Sequence, residues 1–134
     1  MSPEMTILAI VTLFYLFSWL PPMIAQSKTY GIPWLAGSRV SVDRPPLTPA
    51  AERALRAHDN LRENYPPFAI AVLLLAFTGG FTQFTAWACL AFLAARIVHM
   101  PAGILGASWL RSFSWLAGLA ATLYLLIMAL VALL

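Results

Sequence analysis

Apolar residues dominate four stretches of the chain, roughly Met5 to Ala25, Tyr65 to Thr78, Thr82 to Val98 and Phe113 to Leu134. Crossing a bilayer as a helix takes about 20 apolar residues. The first, third and fourth stretches meet that length, and the second does not. Between Glu63 and the Gly79-Gly80 pair that ends it there are too few apolar positions, and its N-terminal extension, Glu52 to Glu63, is charged on every turn. Four helices are therefore predicted, over about 5–25, 49–78, 82–100 and 111–134, with an irregular loop over about 26–48. The expected fold class is an all-α integral membrane protein, a four-transmembrane-helix bundle formed by a single domain, 1–134. Spanning would bring the charges of the second helix into or against the hydrocarbon, where they are costly and usually functional.

Composition agrees with this class. Of 134 residues, 61% are hydrophobic and 10% charged, and the mean hydropathy is +0.81. A water-soluble domain of this size could not bury so much apolar surface. The first stretch differs from a secretory signal in having Glu4 ahead of it and too long an apolar core, so a retained helix is expected.

The eight basic residues lie in two places. Lys28, Arg39, Arg44, Arg53, Arg56 and Arg62 fall between the first and second stretches, and Arg96 and Arg111 flank the link between the third and fourth. Threading four helices puts both places on one side, which the positive-inside rule makes cytoplasmic, with both termini on the other side. The formal charge of +3 thus reports orientation and gives no reason to expect nucleic-acid binding.

Gly31, Pro33, Gly37, Pro45 and Pro46 suit the long loop, and Thr48-Pro49 suits an N-cap and first helical residue. In the second helix, Arg53, Arg56, Asn60 and Glu63 are spaced three, four and three, hence on one stripe, whereas His58 and Arg62 point roughly the other way. Pro66 and Pro67 have no amide protons, so a kink is expected where the carbonyls of Arg62 and Glu63 lose their donors. Arg96 and His99 share a face of the third helix just before Pro101, which should break its ladder. Arg111 and Ser112 are expected to open the fourth helix, with free amides at the same depth. As polar glue, Arg56 and Glu63 would simply pair across helices. Glue does not call for such an excess of positive charge, which suits an anionic ligand at the cytoplasmic boundary.

The run Glu52-Arg53-x-x-Arg56-Ala57-His58-x-Asn60-x-x-Glu63-x-x-x-Pro67-Phe68 resembles the second-helix motif of the MAPEG family, the membrane-associated proteins of eicosanoid and glutathione metabolism. Ala95-Arg96-Ile97-Val98-His99 resembles its third-helix motif and Arg111-Ser112 the start of its fourth helix, most like the microsomal glutathione transferase and prostaglandin E synthase branches. The resemblance implies a homotrimer binding glutathione as co-substrate between subunits near the cytoplasmic face. Carried over by position, Arg56, Asn60, Glu63, Arg96, His99 and Ser112 would hold glutathione, and Arg111 would stabilise its thiolate. Arginine forks suit two carboxylates and Glu63 an ammonium. The second substrate, a hydrophobic small molecule or lipid, would arrive through the membrane. Three positions depart from the pattern: Gly103 and Trp115 stand where well-studied relatives have tyrosines, and Asp59 stands where the prostaglandin enzyme has arginine.

Cys89, alone in the third helix, is expected to be a small buried apolar residue. Two histidines without further ligands at suitable spacing give no metal site. The tryptophans suit the membrane interfaces, and Gly103, Gly106 and Gly118 suit close helix packing. Two functions follow: a glutathione-dependent transferase or peroxidase acting on membrane-dissolved electrophiles or lipid hydroperoxides, or a non-catalytic trimer binding a lipid or anionic metabolite at the same place.

Overall fold

The computed structural model describes residues 2–38 and 45–134; Arg39 and Arg44 of the predicted loop lie outside the described residues. Six helices follow one another: α1 Pro3–Phe17, α2 Leu20–Tyr30, α3 Ile32–Ala36, α4 Pro49–Thr78, α5 Gln83–Leu105 and α6 Ser108–Leu133. There is no strand among the described residues. Three helical stretches are long and apolar enough to cross a membrane: Pro3–Tyr30, which joins α1 to α2, then Gln83–Leu105 and Ser108–Leu133. The 30-residue α4 is long enough but carries too many charges in its first half.

Five of these boundaries are set by chain chemistry. Ser2, Thr48 and Thr82 accept hydrogen bonds from Met5, Ala51 and Thr85 amides and start α1, α4 and α5. Thr85 returns the favour to the Thr82 amide at 2.7 Å, completing a reciprocal cap. Gly79 (φ 68°) ends α4 and Gly106 (φ 80°) ends α5. At each end the next amide reaches back five residues, Gly80 to the Leu75 carbonyl and Ala107 to that of Ala102, both at 2.9 Å.

Several sequence expectations are corrected. The first stretch is interrupted at Ser18-Trp19, because Pro21 and Pro22 cannot donate to the carbonyls of Phe17 and Ser18. The predicted irregular loop is partly helical: α2 continues to Tyr30, and α3 follows Gly31 (φ 83°) with Pro33 in its first turn. Pro101 does not end its helix, and α5 runs on to Leu105 past the expected end near 100; Pro66 and Pro67 lie inside α4, whose bounds are those expected. On α4 the rings of Pro66 and Pro67 face outward while Phe68 is fully buried. Finally, α6 begins at Ser108, so the Arg111 amide is already bonded to the Ala107 carbonyl at 2.9 Å and is not free.

Side-chain partners give the direction of each helix. On α4 and α5, Arg53 meets Ile104, Asn60 meets Arg96 and Phe68 stacks on Phe92 at 3.9 Å, so the two run antiparallel. His99 meets Arg111, and Arg96 meets Trp115, so α6 runs back along α5. Glu4 meets Thr85 and Thr12 meets Tyr65, which sets α1 antiparallel to α4. The core is apolar at the Gly79 end, where Val11, Phe68, Leu75, Phe92 and Leu125 are fully buried. At the other end it thins to Ala57, Leu61 and Met100. Polar groups occupy the space that this thinner core leaves.

Candidate functional site

The first half of α4 turns Ala51, Ala54, Ala57 and Leu61 inward at helical spacing. These small side chains let α4 approach α5 closely, and a Cβ at Gly103 would lie 3.3 Å from that of Ala57. Arg53, Arg56 and Asn60 flank that stripe and line a cavity of about 620 Å³. His99 and Gly103 of α5, and Arg111, Ser112, Trp115 and Leu116 of α6, form its other walls. Its volume falls within the roughly 300–1,000 Å³ of small-molecule sites.

Each cation is held differently. Arg53 donates from Nε to the Ile104 carbonyl at 2.9 Å and lies against Gly106, where the exposed carbonyls at the end of α5 favour positive charge. Arg56 meets Glu52 at 3.7 Å with both side chains largely in the open, a pair that contributes little and leaves the guanidinium free to turn. It does not pair with Glu63. The aliphatic stem of Arg111 passes over Gly103, with Cδ 3.9 Å from where a Cβ would stand. Among the described residues no carboxylate lines the cavity.

Arg96 is only 1% exposed and lies beneath the cavity without lining it. It donates to Asn60 Oδ1 at 3.0 Å and to the Trp115 carbonyl at 3.3 Å, and its guanidinium carbon stands 5.2 Å from the centre of the Phe92 ring. No carboxylate pairs with it among the described residues, and its Nε is buried without a partner. The guanidinium fits flat on α6 only because residue 118 is glycine, since a Cβ there would overlap Nη2 and lie 2.8 Å from Cζ. With Oδ1 of Asn60 occupied by Arg96, the amide NH₂ is the part of Asn60 left to face a ligand.

His99 turns Nδ1 to the Arg111 carbonyl at 3.1 Å. Ser114 Oγ donates to the same carbonyl at 2.9 Å. Ser112 donates to the Ser108 carbonyl at 2.9 Å.

Of the seven residues carried over, Arg56, Asn60, His99, Arg111 and Ser112 share the cavity. Arg96 touches it only through Asn60, and Glu63 points outward from α4. His58 faces α1, where the Ser18 hydroxyl donates to the Tyr15 carbonyl at 2.7 Å and so accepts from His58 Nδ1 at 2.9 Å. The sequence reading left out Arg53, although it stands three residues before Arg56 on the same stripe. It gave Gly118 only a packing role; the spacing Arg111, Trp115, Gly118 puts all three on one face of α6.

The model of the MAPEG family matches residues 5–131, nearly the whole chain. No curated protein matches it.

Proposed function

Because the chain belongs to the MAPEG family and is an integral membrane protein, we propose that it is a glutathione-dependent transferase or peroxidase for hydrophobic electrophiles or lipid hydroperoxides dissolved in the membrane. The observation that carries this reading is a cavity walled, among the described residues, by three guanidiniums and the Asn60 amide without a carboxylate, beside the apolar surface of Trp115 and Leu116. Such walls suit a small ligand with more than one carboxylate, next to an apolar second substrate. Arg111 stabilises the thiolate, Arg56, Asn60 and Ser112 orient the tripeptide, and Arg96 acts from below by fixing the Asn60 amide. A free thiol titrates near ~8.5, so a neighbouring guanidinium raises the nucleophile's population at neutral pH.

Glu63 supports a homotrimer. It stands 15 residues before Thr78, roughly 22 Å along the helix, whereas the hydrocarbon is about 30 Å thick. A carboxylate exposed on one chain at that depth needs a second copy to cover it, and an intersubunit site would let it meet the ammonium of glutathione. In this reading the basic end of the bundle is cytoplasmic and both termini are on the opposite side.

The test is calorimetry with glutathione on detergent-solubilised protein, together with thiolate absorbance. Binding with a thiolate band that is lost in Arg111→Ala is expected. The absence of binding at millimolar glutathione would instead favour a non-catalytic trimer that holds a lipid or anionic metabolite. One observation favours that second reading: Gly103 and Trp115 bring no hydroxyl, and the Ser112 proton is engaged within α6.

A further inference from the structure

A thiol entering the cavity must lose its proton before it can attack, and most of the polar walls cannot take it. Arg53, Arg56 and Arg111 are donors only. Asn60 offers its NH₂, since Arg96 holds its oxygen, and Ser112 offers a neutral hydroxyl oxygen, which is not a base.

His99 differs from all of them. Its Nδ1 faces the Arg111 carbonyl at 3.1 Å, which can only accept, and the Ser114 hydroxyl at 3.4 Å, whose proton is already given to that same carbonyl, so Nδ1 carries the proton of the neutral ring. Nε2 is then an open lone pair. It has no hydrogen-bond partner among the described residues, and the ring forms part of the cavity wall. The charged groups around it are Arg96 on its own helix, Arg111 on α6, and Arg53 and Arg56 on α4, all cationic.

Resting on the glutathione reading above, we infer that His99 is the catalytic base that removes the thiol proton through Nε2. The S–H bond breaks, the proton bonds to Nε2, and the electron pair stays on sulfur beside Arg111. Sulfur then bonds to the electrophilic carbon. The imidazolium gives its proton to the leaving group, or to the anion created by addition, and the neutral ring returns. The Nδ1 bond to the Arg111 carbonyl couples the base to the residue that stabilises its product.

Titration calorimetry with glutathione in buffers of different ionisation enthalpy, alongside thiolate absorbance, tests the assignment. Wild-type protein should develop the thiolate band while releasing almost no proton to the buffer, because the proton stays on the ring. His99→Asn keeps a donor where Nδ1 stands and removes Nε2. It should lose the band, or else form it with release of about one proton. A full proton released by wild type, or an unchanged band and proton count in His99→Asn, would overturn the inference. The wild-type proton count decides the matter even if the variant does not assemble. A wild type that gives no heat at all removes the glutathione reading itself, a result distinct from binding with the wrong proton count.

Discussion

A guanidinium buried to 99% without an anion is the feature on which the other residues of the site depend. Arg96 is tolerated because two carbonyls of α6 and the Asn60 oxygen accept its protons, and because Gly118 gives it a flat seat. Its other contacts prevent it from moving aside, so Gly118→Ala should destabilise the protein by about 1–3 kcal/mol, as overpacking does. Thermal unfolding in detergent measures this, and the same substitution in an Arg96→Ala background should cost less than about 0.5 kcal/mol. Equal costs in the two backgrounds would mean that Gly118 matters for some reason other than Arg96. Asn60→Ala should leave Arg96 Nη1 buried without an acceptor and cost about 1–3 kcal/mol on the same assay.

Between elements, α1 is tied to α4 by polar and aromatic contacts in addition to its share of the apolar core. Thr12 and Tyr65 share a hydrogen bond of 2.8 Å, Tyr15 stacks on Tyr65 at 4.6 Å, and Ser18 accepts from His58. Hydrogen bonds between membrane helices average about 0.6 kcal/mol and reach about 1.7. Ser18→Ala and Thr12→Val should therefore each cost within that range in unfolding, while glutathione binding stays the same within about twofold. A large loss of binding in either variant would tie α1 to the cavity. At the far end, Glu4 is 2% exposed and accepts a 2.7 Å bond from Thr85. A residue that reads as a terminal charge in the sequence thus fastens α1 to the reciprocal cap of α5.

For the whole molecule, one chain leaves part of its charge uncovered. Glu63 is exposed on α4, and continuing along that face lie Pro67, Ile70 and Phe77, also exposed. If three copies meet there, native mass spectrometry from a mild detergent should give the mass of three chains. Glu63→Ala should weaken glutathione binding by about tenfold or more, the scale of a lost charge-assisted bond. A monomer mass with intact binding would refute the trimer and place the whole site within one subunit.

The helical membrane class was legible because apolar length is a property of the chain alone: a bilayer demands about 20 such residues whatever their partners. The same holds for Thr48 and Gly79, whose effects act within a few residues of themselves. Periodicity also placed Arg53, Arg56 and Asn60 on one stripe. Only the packed helices decided what those residues meet. Pro101 was expected to close its helix because a sequence shows a missing donor but not the packing that carries α5 on to Leu105. The sequence could not tell that Glu63 turns away from the cavity, that His58 serves α1, or that Arg96 lies under the site instead of in it. Each of those depends on a rotamer and a facing surface supplied by other helices, and no local pattern encodes them.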